Sequence, residues 1–288
     1  MPTPSSVAVC GPASWNHLIV LDHLPEPVPH MQFARRSWQT IGGTSAGKAL
    51  HLAGLGVNVR LCTPLGTDDD GQRVRGALTA AGVAVDSFSS EQTERHVNLM
   101  TEHGQRVSLY VATPSTPSEH DLSVATAAVA AADVAVVDLS ELGALLLQRV
   151  DGSTPVWVDL HDYDGSSDFH EPFLRAATTV FMSDDSTKDP WELMRSCLAR
   201  GPRLAVCTRG AQGAIALDAS GNRYQIAAVP ADVVDTNGAG DAFMAGFLAS
   251  SLHGKTVQDS LKAAVMQARI AIGSEHLHPL LAEALPAP

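Results

Sequence analysis

The sequence is short of positive charge, of aromatic residues and of long hydrophobic runs, and these shortages exclude several classes of protein. There are 19 Lys and Arg against 31 Asp and Glu, a formal charge of −12, and only 5% of residues are aromatic. A nucleic-acid partner is not expected, because a phosphate backbone requires basic surfaces. No apolar stretch reaches the roughly 20 residues of a membrane span. The N-terminal residues also lack the basic start and apolar core of a signal peptide.

Cysteine and metal-ligand patterns are equally sparse. The chain has four cysteines, Cys10, Cys62, Cys197 and Cys207. None of them forms a C-x-x-C pair, and at this length and density a disulfide framework is not expected. We therefore expect buried free thiols in a reducing, cytoplasmic compartment. The twelve histidines are dispersed; His276 and His278 alternate, but no H-E-x-x-H spacing indicates a metal site.

What is present is the composition of a globular protein with a sizeable core. Of 288 residues, 45% are hydrophobic and 17% charged. Short β-rich runs predict strands at residues 7–10, 57–62, 134–137, 156–159, 179–182 and 204–207. Stretches of helical period between them predict helices at residues 44–55, 71–81, 142–150, 191–199, 239–252 and 257–272. This alternation predicts an α/β fold, with a mostly parallel sheet covered by helices on both faces.

Two segments interrupt this rhythm. Residues 17–38 and 86–110 lack long helical periods and carry alternating patterns, with a hairpin turn expected at His103 and Gly104. We predict that segments of about 13–40 and 86–112 form a small β lid over one edge of the sheet. No linker or repeat divides the chain, so residues 1–288 are interpreted as a single domain with a discontinuous lid.

The most informative stretch is DTNGAGDAFMAGF, residues 235–247. Gly238, Ala239 and Gly240 place backbone N–H groups at the start of a helix, where the helix dipole also favours an anion. Asp241 follows in the first helical turn, where a carboxylate can accept a proton from a hydroxyl. The structural alternative is that Asp241 only complements the helix dipole and that the glycines only turn the chain.

Four motifs carry a family resemblance. DTNGAGDAFMAGF resembles the C-terminal signature of the ribokinase-like (PfkB) carbohydrate kinases, and GGTSAGKA at residues 42–49 resembles their N-terminal signature. GTDDDG at residues 66–71 and TRGAQG at residues 208–213 resemble two further family segments. All four stand in family order, from about residue 7 to residue 273. The resemblance implies a three-layer α/β/α sandwich with a β lid.

The resemblance also implies an activity. It implies ATP- and Mg²⁺-dependent phosphorylation of a sugar-like hydroxyl, with Asp241 as general base and an anion hole made by Gly238, Ala239 and Gly240. The nucleotide would be lined by Thr208, Gly210 and Gly213. The substrate would lie against Gly42 and Gly43, where missing side chains let it approach the backbone. Family members often hold a potassium ion, and its ligand positions match Asp235 and the carbonyl of Asn237.

Several positions depart from the family pattern. Among the substrate-binding positions that the resemblance implies, the aspartate that grips sugar hydroxyls corresponds to Asn16, and the asparagine of the N-terminal signature corresponds to Gly47. An asparagine both donates and accepts, so we expect a hydroxyl pattern different from that of ribose. Asn98 either supplies a replacement contact or is only a polar residue on an exposed strand face. At the N-x-x-E position, which organises Mg²⁺ through water, the chain has Ser183 and Ser186.

Two charged residues invite functional interpretations that we do not adopt. Residues 42–48 resemble a Walker A loop, but Ala49 stands where that motif needs a hydroxyl for Mg²⁺. We therefore expect Lys48 to lie on a helix surface. Asp68 precedes a predicted helix and is expected to be its N-cap. The pair Asp184 and Asp185 is either a metal site or a solvated turn.

Two other functions and one assembly remain open. A nucleoside kinase would need surfaces for stacking a base, and candidates are Trp15, Phe33 and Trp38. A non-catalytic ligand-binding regulator is favoured by the altered N-x-x-E position and opposed by the intact DTNGAGD motif. Apolar residues in the lid segments favour a homodimer, namely Trp38, Val97, Leu99 and Leu109.

Overall fold

The computed structural model describes residues 5–285. Within this range thirteen strands form: β1 (Ser6–Cys10), β2 (Ser14–Leu21), β3 (Arg36–Gly42), β4 (Asn58–Gly66), β5 (Ala84–Ser90), β6 (Glu94–Thr101), β7 (Arg106–Ala112), β8 (Val134–Val137), β9 (Val156–Asp159), β10 (Thr179–Ser183), β11 (Leu204–Thr208), β12 (Ala214–Asp218) and β13 (Arg223–Ile226). The same range contains eight α-helices: α1 (Thr44–Gly54), α2 (Asp69–Ala80), α3 (Glu119–Ala130), α4 (Glu141–Leu146), α5 (Glu171–Ala176), α6 (Pro190–Leu198), α7 (Ala239–Leu252) and α8 (Val257–Ile272).

Nine strands form the main sheet, in the order β13-β12-β11-β10-β9-β8-β1-β4-β5. The strands from β11 to β5 are parallel, and β12 and β13 add an antiparallel edge. Alternate residues of β1 enter two separate cores. Val7 and Val9 pack with α1, α2, α7 and α8, whereas Ala8 and Cys10 pack with α3 to α6. The three-layer α/β/α arrangement expected from the sequence is thus confirmed.

Four strands, in the order β3-β2-β6-β7, form the lid. In this sheet Asn16 pairs with Thr40 on one side and with His96 on the other, and His96 pairs with Tyr110. Strands β6 and β7 are joined by the expected hairpin turn. The second lid segment begins later than we expected. Residues 86–90 belong to β5, which extends the main sheet beside β4, so this part of the lid starts at Glu94.

The cysteines and Asp68 lie where the sequence predicts them. All four cysteines are free and buried. Asp68 is the N-cap of α2, since its Oδ1 accepts a hydrogen bond from the Gly71 amide at 2.9 Å. Among residues 5–285, no helix has the length and apolar character needed to cross a bilayer, and no cluster of three or more His, Cys, Asp or Glu side chains has the arrangement of a metal site.

The parallel strands direct polar residues to one edge of the main sheet. Asp138 follows β8, and Asp159, Ser183 and Thr208 are the last residues of β9, β10 and β11. Ligands of open α/β sheets bind at the carboxyl ends of the strands, where these residues lie. The lid and the start of α7 face the same edge, so a ligand is expected to bind there.

Candidate active site

A cavity of about 1330 Å³ opens between the carboxyl edge of the main sheet and the lid. Its walls come from the inner face of the lid, from the loop and first turn of α7, and from the ends of β9, β10 and β11. Pockets for one small ligand usually measure about 300–1,000 Å³. The cavity therefore has room for two ligands side by side, as a transfer reaction between them requires.

The start of α7 presents both a carboxylate and free amides to this cavity. Gly238 is the N-cap, with a left-handed φ of 75° that suits glycine, and Asp241 is the third residue of the helix. Ala239 donates its amide to the Thr236 carbonyl at 3.3 Å. Within residues 5–285, the amides of Gly238 and Gly240 donate to no protein acceptor. Two N–H groups at a helix N-terminus thus remain available to an anion beside Asp241.

Lys48 lies behind Asp241, and our expectation of a surface position for it was wrong. Its side chain is only 1% exposed, and its Nζ lies 2.7 Å from Asp241 Oδ1 and 2.9 Å from Asp138 Oδ1. A third carboxylate oxygen, Asp159 Oδ2, is 3.4 Å away. Burial alone would lower the pKa of the ammonium, but the three carboxylates raise it above its ordinary value. Lys48 is therefore a buried cation at the carboxylate end of the site.

The position of α1 explains this burial. The helix packs between the main sheet and α7, and every residue from position 45 to position 52 is buried. Gly47 faces Asp241, since a β-carbon at position 47 would lie 2.9 Å from Asp241 Oδ2. Gly47 is not part of the cavity wall, although the resemblance placed it among the substrate-binding residues. It lies behind Asp241 instead.

The two supporting aspartates are held by their own partners. Asp138 is fully buried and accepts a 2.5 Å hydrogen bond from the hydroxyl of Ser45. Asp159 Oδ1 accepts the His161 amide at 3.0 Å, and its Oδ2 lies 3.6 Å from His161 Nδ1. Burial would raise the pKa of Asp159, but His161 and Lys48 lower it to about 2. Asp159 is therefore a carboxylate at neutral pH.

The pKa of Asp241 is raised, whereas that of Asp159 is lowered. Burial raises the pKa of its carboxyl, and the negative charges of Asp159 and Asp138 raise it further. Lys48 opposes these effects through its charge and its hydrogen bond, and the resulting pKa is about 6. A carboxylate with a pKa near neutrality is suited to accept and release a proton at physiological pH.

The inner face of the lid is polar. Asn16, His96 and Asn98 are each less than 10% exposed and line the cavity, so Asn98 points inward and not to solvent. Gly42 and Gly43 also line the cavity. A β-carbon at Gly42 would overlap the Asn16 side-chain amide, so the glycine keeps that amide in place.

The TRGAQG segment also borders the cavity. Thr208, Gly210 and Gly213, which the family resemblance assigns to a nucleotide, all line its wall. An apolar wall stands beside them, made by Val229, Val265, Ala268 and Ile272. A glycine-rich turn next to an apolar slot suits a ligand that has both phosphates and a flat base.

Comparison with known proteins decides the family. The model of the pfkB family carbohydrate kinases matches residues 6–154 and 176–281. The chain belongs to this family. It is therefore an ATP-dependent carbohydrate kinase, a phosphotransferase with an alcohol group as acceptor.

Two proteins that are similar to this pfkB kinase are named for the same compound, acarbose. The acarbose 7(IV)-phosphotransferase of Actinoplanes sp. is 31% identical over 265 residues, which cover 90% of this chain and 89% of that protein. A microbiome-derived acarbose kinase has a similar structure, with a TM-score of 0.84, 29% identity and 94% coverage of both chains. The ribokinase of Thermotoga maritima shares the fold, with a TM-score of 0.78 at 17% identity, covering 99% of this chain and 97% of that one.

The altered N-x-x-E position of the kinase retains acidic groups nearby. Ser183, Asp184 and Asp185 line the cavity, whereas Ser186 does not. The Ser183 hydroxyl donates to Asp185 Oδ2 at 2.8 Å, and Arg209 Nε lies 3.3 Å from Asp184 Oδ2. The two aspartates stand at the cavity wall in a turn that follows β10, and Asp185 is exposed, so the metal site and the solvated turn both stay open.

The three aromatic residues that we considered for base stacking lie elsewhere in the kinase, and none of them lines the cavity. Trp15 lies on the face of β2 opposite Asn16 and is buried in the core beside α1 and α2, with the Arg73 guanidinium 5.7 Å from its ring. Trp38 is buried, and its indole N–H donates to the Glu275 carbonyl at 3.0 Å. Phe33 is 88% exposed in the connection between β2 and β3. That interpretation of these residues was wrong.

The lid of the kinase contacts the loop before α7 directly. Arg106 on β7 donates a hydrogen bond to Asn237 Oδ1, and Asn237 Nδ2 lies 3.5 Å from the Met100 sulfur on β6. Asn237 in turn donates to both carboxylate oxygens of Asp235, at 2.8 and 2.9 Å. Sequence reasoning did not find Arg106, since no motif marks it. The sequence feature that could have found it is the alternating pattern of β7, in which Arg106 falls at a position whose side chain faces the cavity.

Proposed function

We propose that this kinase transfers the γ-phosphoryl group of ATP to a hydroxyl of a polyhydroxylated carbohydrate, with Asp241 as general base. The observation that carries the proposal is the joint position of the Asp241 carboxyl and the two free amides at the start of α7. Both open onto a cavity whose opposite wall is the polar face of the lid.

In the proposed reaction the substrate hydroxyl lies between Asp241 and the γ-phosphate. The hydroxyl oxygen attacks phosphorus, the bond to the β–γ bridging oxygen breaks, ADP leaves, and the hydroxyl proton passes to Asp241. The amides at Gly238 and Gly240 hold the phosphoryl oxygens, where charge is redistributed during transfer. Thr208, Gly210 and Gly213 position the nucleotide at the other end of the cavity.

Magnesium would accompany ATP and offset the charge of its phosphates. Mg²⁺ prefers oxygen ligands and keeps several waters. The cavity offers Asp184, Asp185 and the hydroxyl of Ser183, and these donors fit such an ion and its waters.

Potassium fits less well. Asp235 supplies a buried carboxylate, but both of its oxygens accept hydrogen bonds from the Asn237 side chain. A cation at Asp235 would have to share these oxygens with the amide, so we derive no step from potassium.

For the substrate we propose a sugar larger or more substituted than ribose, with acarbose as the first candidate. Two observations support this choice. The lid offers Asn16, His96 and Asn98, groups that can both donate and accept hydrogen bonds to hydroxyls. The two relatives reported above, one a protein and one a structure, are both named for action on acarbose.

The test is ADP formation by the purified protein with a panel of acarbose, ribose, fructose and adenosine. We expect kcat/KM for one carbohydrate to exceed the value for adenosine at least about tenfold, since the lid offers Asn16, His96 and Asn98 as hydrogen-bond partners for several hydroxyl groups. Faster turnover with adenosine than with every sugar would favour the nucleoside kinase. Binding without turnover for every compound would favour the non-catalytic regulator.

We also propose that the outer face of the lid forms a homodimer. In the β6–β7 pairing, Val97 lies beside Leu109 and Leu99 beside Val107, so four apolar side chains are contiguous. Val107 and Leu109 are 40% and 46% exposed on the edge strand β7. Trp38, which we had included in this surface, is buried on the inner side and takes no part in it.

Light scattering at micromolar concentration is expected to give twice the mass of the chain. Leu109→Glu should reduce the mass to that of one chain, because a charge in an apolar interface is left unpaired. Glu at the exposed polar position Ser220 is a matched control and should leave the dimer intact. A single-chain mass for the unaltered protein would contradict the proposal.

A further inference from the structure

The Lys48 ammonium has an unusual environment for a cation. It is enclosed by three carboxylates: its Nζ donates a charge-assisted hydrogen bond to Asp241 Oδ1 at 2.7 Å and forms ion pairs with Asp138 Oδ1 at 2.9 Å and Asp159 Oδ2 at 3.4 Å. We propose that Lys48 is a positioning residue for phosphoryl transfer, which keeps the Asp241 carboxyl ionised and oriented so that it can accept the substrate proton. This inference rests on the proposed role of Asp241 as general base.

The hydrogen-bond pattern separates Asp241 from the two other carboxylates. Asp138 is fully buried and also holds Ser45, and Asp159 also holds the His161 amide. Asp159 and Asp241 both line the cavity, but of the three only Asp241 stands at a helix start, beside the free amides. Its Oδ1 is held by Lys48, and its Oδ2 accepts no hydrogen bond within residues 5–285. One oxygen is thus held by Lys48. The other, Oδ2, lies beside Gly47, where no side chain covers it, and it is left to accept the hydrogen bond of the substrate hydroxyl.

Gly47 makes this arrangement possible. A β-carbon at position 47 would lie 2.9 Å from Asp241 Oδ2 and 3.1 Å from Asp241 Cβ, closer than side chains normally approach. Asparagine, the residue of the family pattern, would therefore push Asp241 away from α1. Glycine at position 47 and lysine at position 48 act together: the first lets α1 approach Asp241, and the second supplies the charge.

The surrounding charges explain why a cation is needed. The titratable groups on the elements packed around the Asp241 carboxyl are Lys48 and His51 on α1, Asp138 after β8, Asp159 on β9 and His161 after it. Burial lowers the pKa of His51 to about 3, so this ring is neutral. Charged groups elsewhere on the cavity wall are Glu94, Arg106, Asp162, Asp184, Asp185, Asp235, Arg269 and Glu275.

These charges determine the direction in which Lys48 shifts the pKa of Asp241. Burial, Asp159 and Asp138 all favour the protonated form of Asp241, and Lys48 opposes them. With Lys48 present the pKa of Asp241 is about 6, so the base is mostly ionised at pH 7. Without Lys48 the pKa rises, and a protonated Asp241 cannot accept the substrate proton at neutral pH.

The experiment is the pH profile of kcat, from pH 5 to pH 9, for the unaltered kinase and Lys48→Met. We expect the acid limb to lie near pH 6 in the unaltered protein and at least about one pH unit higher in Lys48→Met. With a shift of one unit, kcat should therefore be about twofold lower than in the unaltered kinase at pH 7 and about tenfold lower at pH 5, and it should recover toward pH 9. KM for the carbohydrate should change less than about threefold. Lys255→Met, at an exposed lysine, is the matched control and should show the unaltered profile.

A second pair of variants covers the case in which Lys48→Met does not fold, since it leaves three carboxylates without their cation. The pair consists of Asp138→Asn and the double variant Lys48→Met/Asp138→Asn, which differ from each other only at Lys48. Both have one buried carboxylate fewer than the unaltered kinase. The acid limb of the double variant should lie at least about one pH unit above that of Asp138→Asn. If the acid limb lies at the same pH in both members of either pair, and kcat is lowered by the same factor at every pH, the proposal is overturned.

Asp241→Asn, assayed beside these variants, separates the two proposals. If Asp241→Asn is inactive and the Lys48 variants show no shift of the acid limb, only the role of Lys48 fails. If Asp241→Asn keeps full activity, the proposed base is wrong, and the role of Lys48 fails with it.

Discussion

Asp241→Asn is expected to lower kcat of this kinase about a thousandfold, within the range of about 10²–10⁴ that general base catalysis contributes. The substitution changes little else. An asparagine has the same shape, and its side-chain oxygen can still accept the hydrogen bond from Lys48 that Asp241 accepts at 2.7 Å. An amide cannot take up the substrate proton. KM for ATP should stay within about threefold, because the nucleotide segment at Thr208, Gly210 and Gly213 is untouched.

Steady-state kinetics with the substrate identified by the panel measures this effect. Asp151→Asn is the matched control, because Asp151 is exposed, lies outside the cavity wall and accepts a hydrogen bond from the neighbouring Ser153 amide. It should leave kcat unchanged. If Asp241→Asn lost less than about tenfold, general base catalysis by Asp241 would not be supported.

Gly213→Ala is expected to damage the nucleotide segment severely. Gly213 has φ 89° and ψ −128°, a conformation that residues with a β-carbon avoid, and a β-carbon there would overlap the Ile226 carbonyl oxygen. Backbone strain alone costs about 1–3 kcal/mol. We expect a loss of about 3 kcal/mol or more in the free energy of unfolding, because the overlap adds to this strain. We also expect KM for ATP to rise at least about tenfold, a cost of about 1.4 kcal/mol in binding.

Two glycines of the chain provide controls for Gly213. Gly210 lies in the same segment with φ 50°, and Gly221 lies outside the cavity with φ 84°; a β-carbon at either position would meet open space. Alanine at each should cost only about 1–2 kcal/mol, the strain of a left-handed residue. Urea unfolding and ATP titration of the three variants separate strain from overlap. Gly213→Ala behaving like Gly221→Ala in both measurements would contradict the role given to this turn.

Much of the fold could be predicted from local patterns. The six strands expected from short apolar runs all form, because buried parallel strands read as continuous β-rich segments. The DTNGAGD motif correctly predicted a helix start, since its glycines and the first-turn aspartate have local physical causes. Strand β5 was assigned to the lid because an alternating pattern does not reveal which strand it pairs with.

Lys48 could not be placed from its own residue type. A lysine on a helix usually lies at the surface, and its burial depends on three aspartates that are distant in sequence. A signal was nevertheless present. Helix α1 has no polar face: its sequence, TSAGKALHLAG, contains only Lys48 and His51 as titratable side chains. A helix without a polar face is buried, so a lysine within it needs buried carboxylates nearby.

The aromatic residues of the lid were misplaced for a different reason. Successive side chains of a strand point to opposite faces, so Trp15 and its neighbour Asn16 cannot both face the cavity. Sequence alternation shows that two faces exist but not which of them is inside. Only the docking of β2 on the rest of the molecule decides that Asn16 faces the cavity.

The most direct test of the account is the pH dependence of the chemical step itself. Rapid-quench measurement of phosphoryl transfer, with ATP and substrate saturating, isolates this step from product release in the unaltered kinase and in Asp241→Asn. We expect the rate in the unaltered protein to fall about tenfold per pH unit below the Asp241 pKa of about 6, and the residual rate in Asp241→Asn to be flat over the same range. An acid limb that persists unchanged in Asp241→Asn would show that another group accepts the proton and would contradict the account.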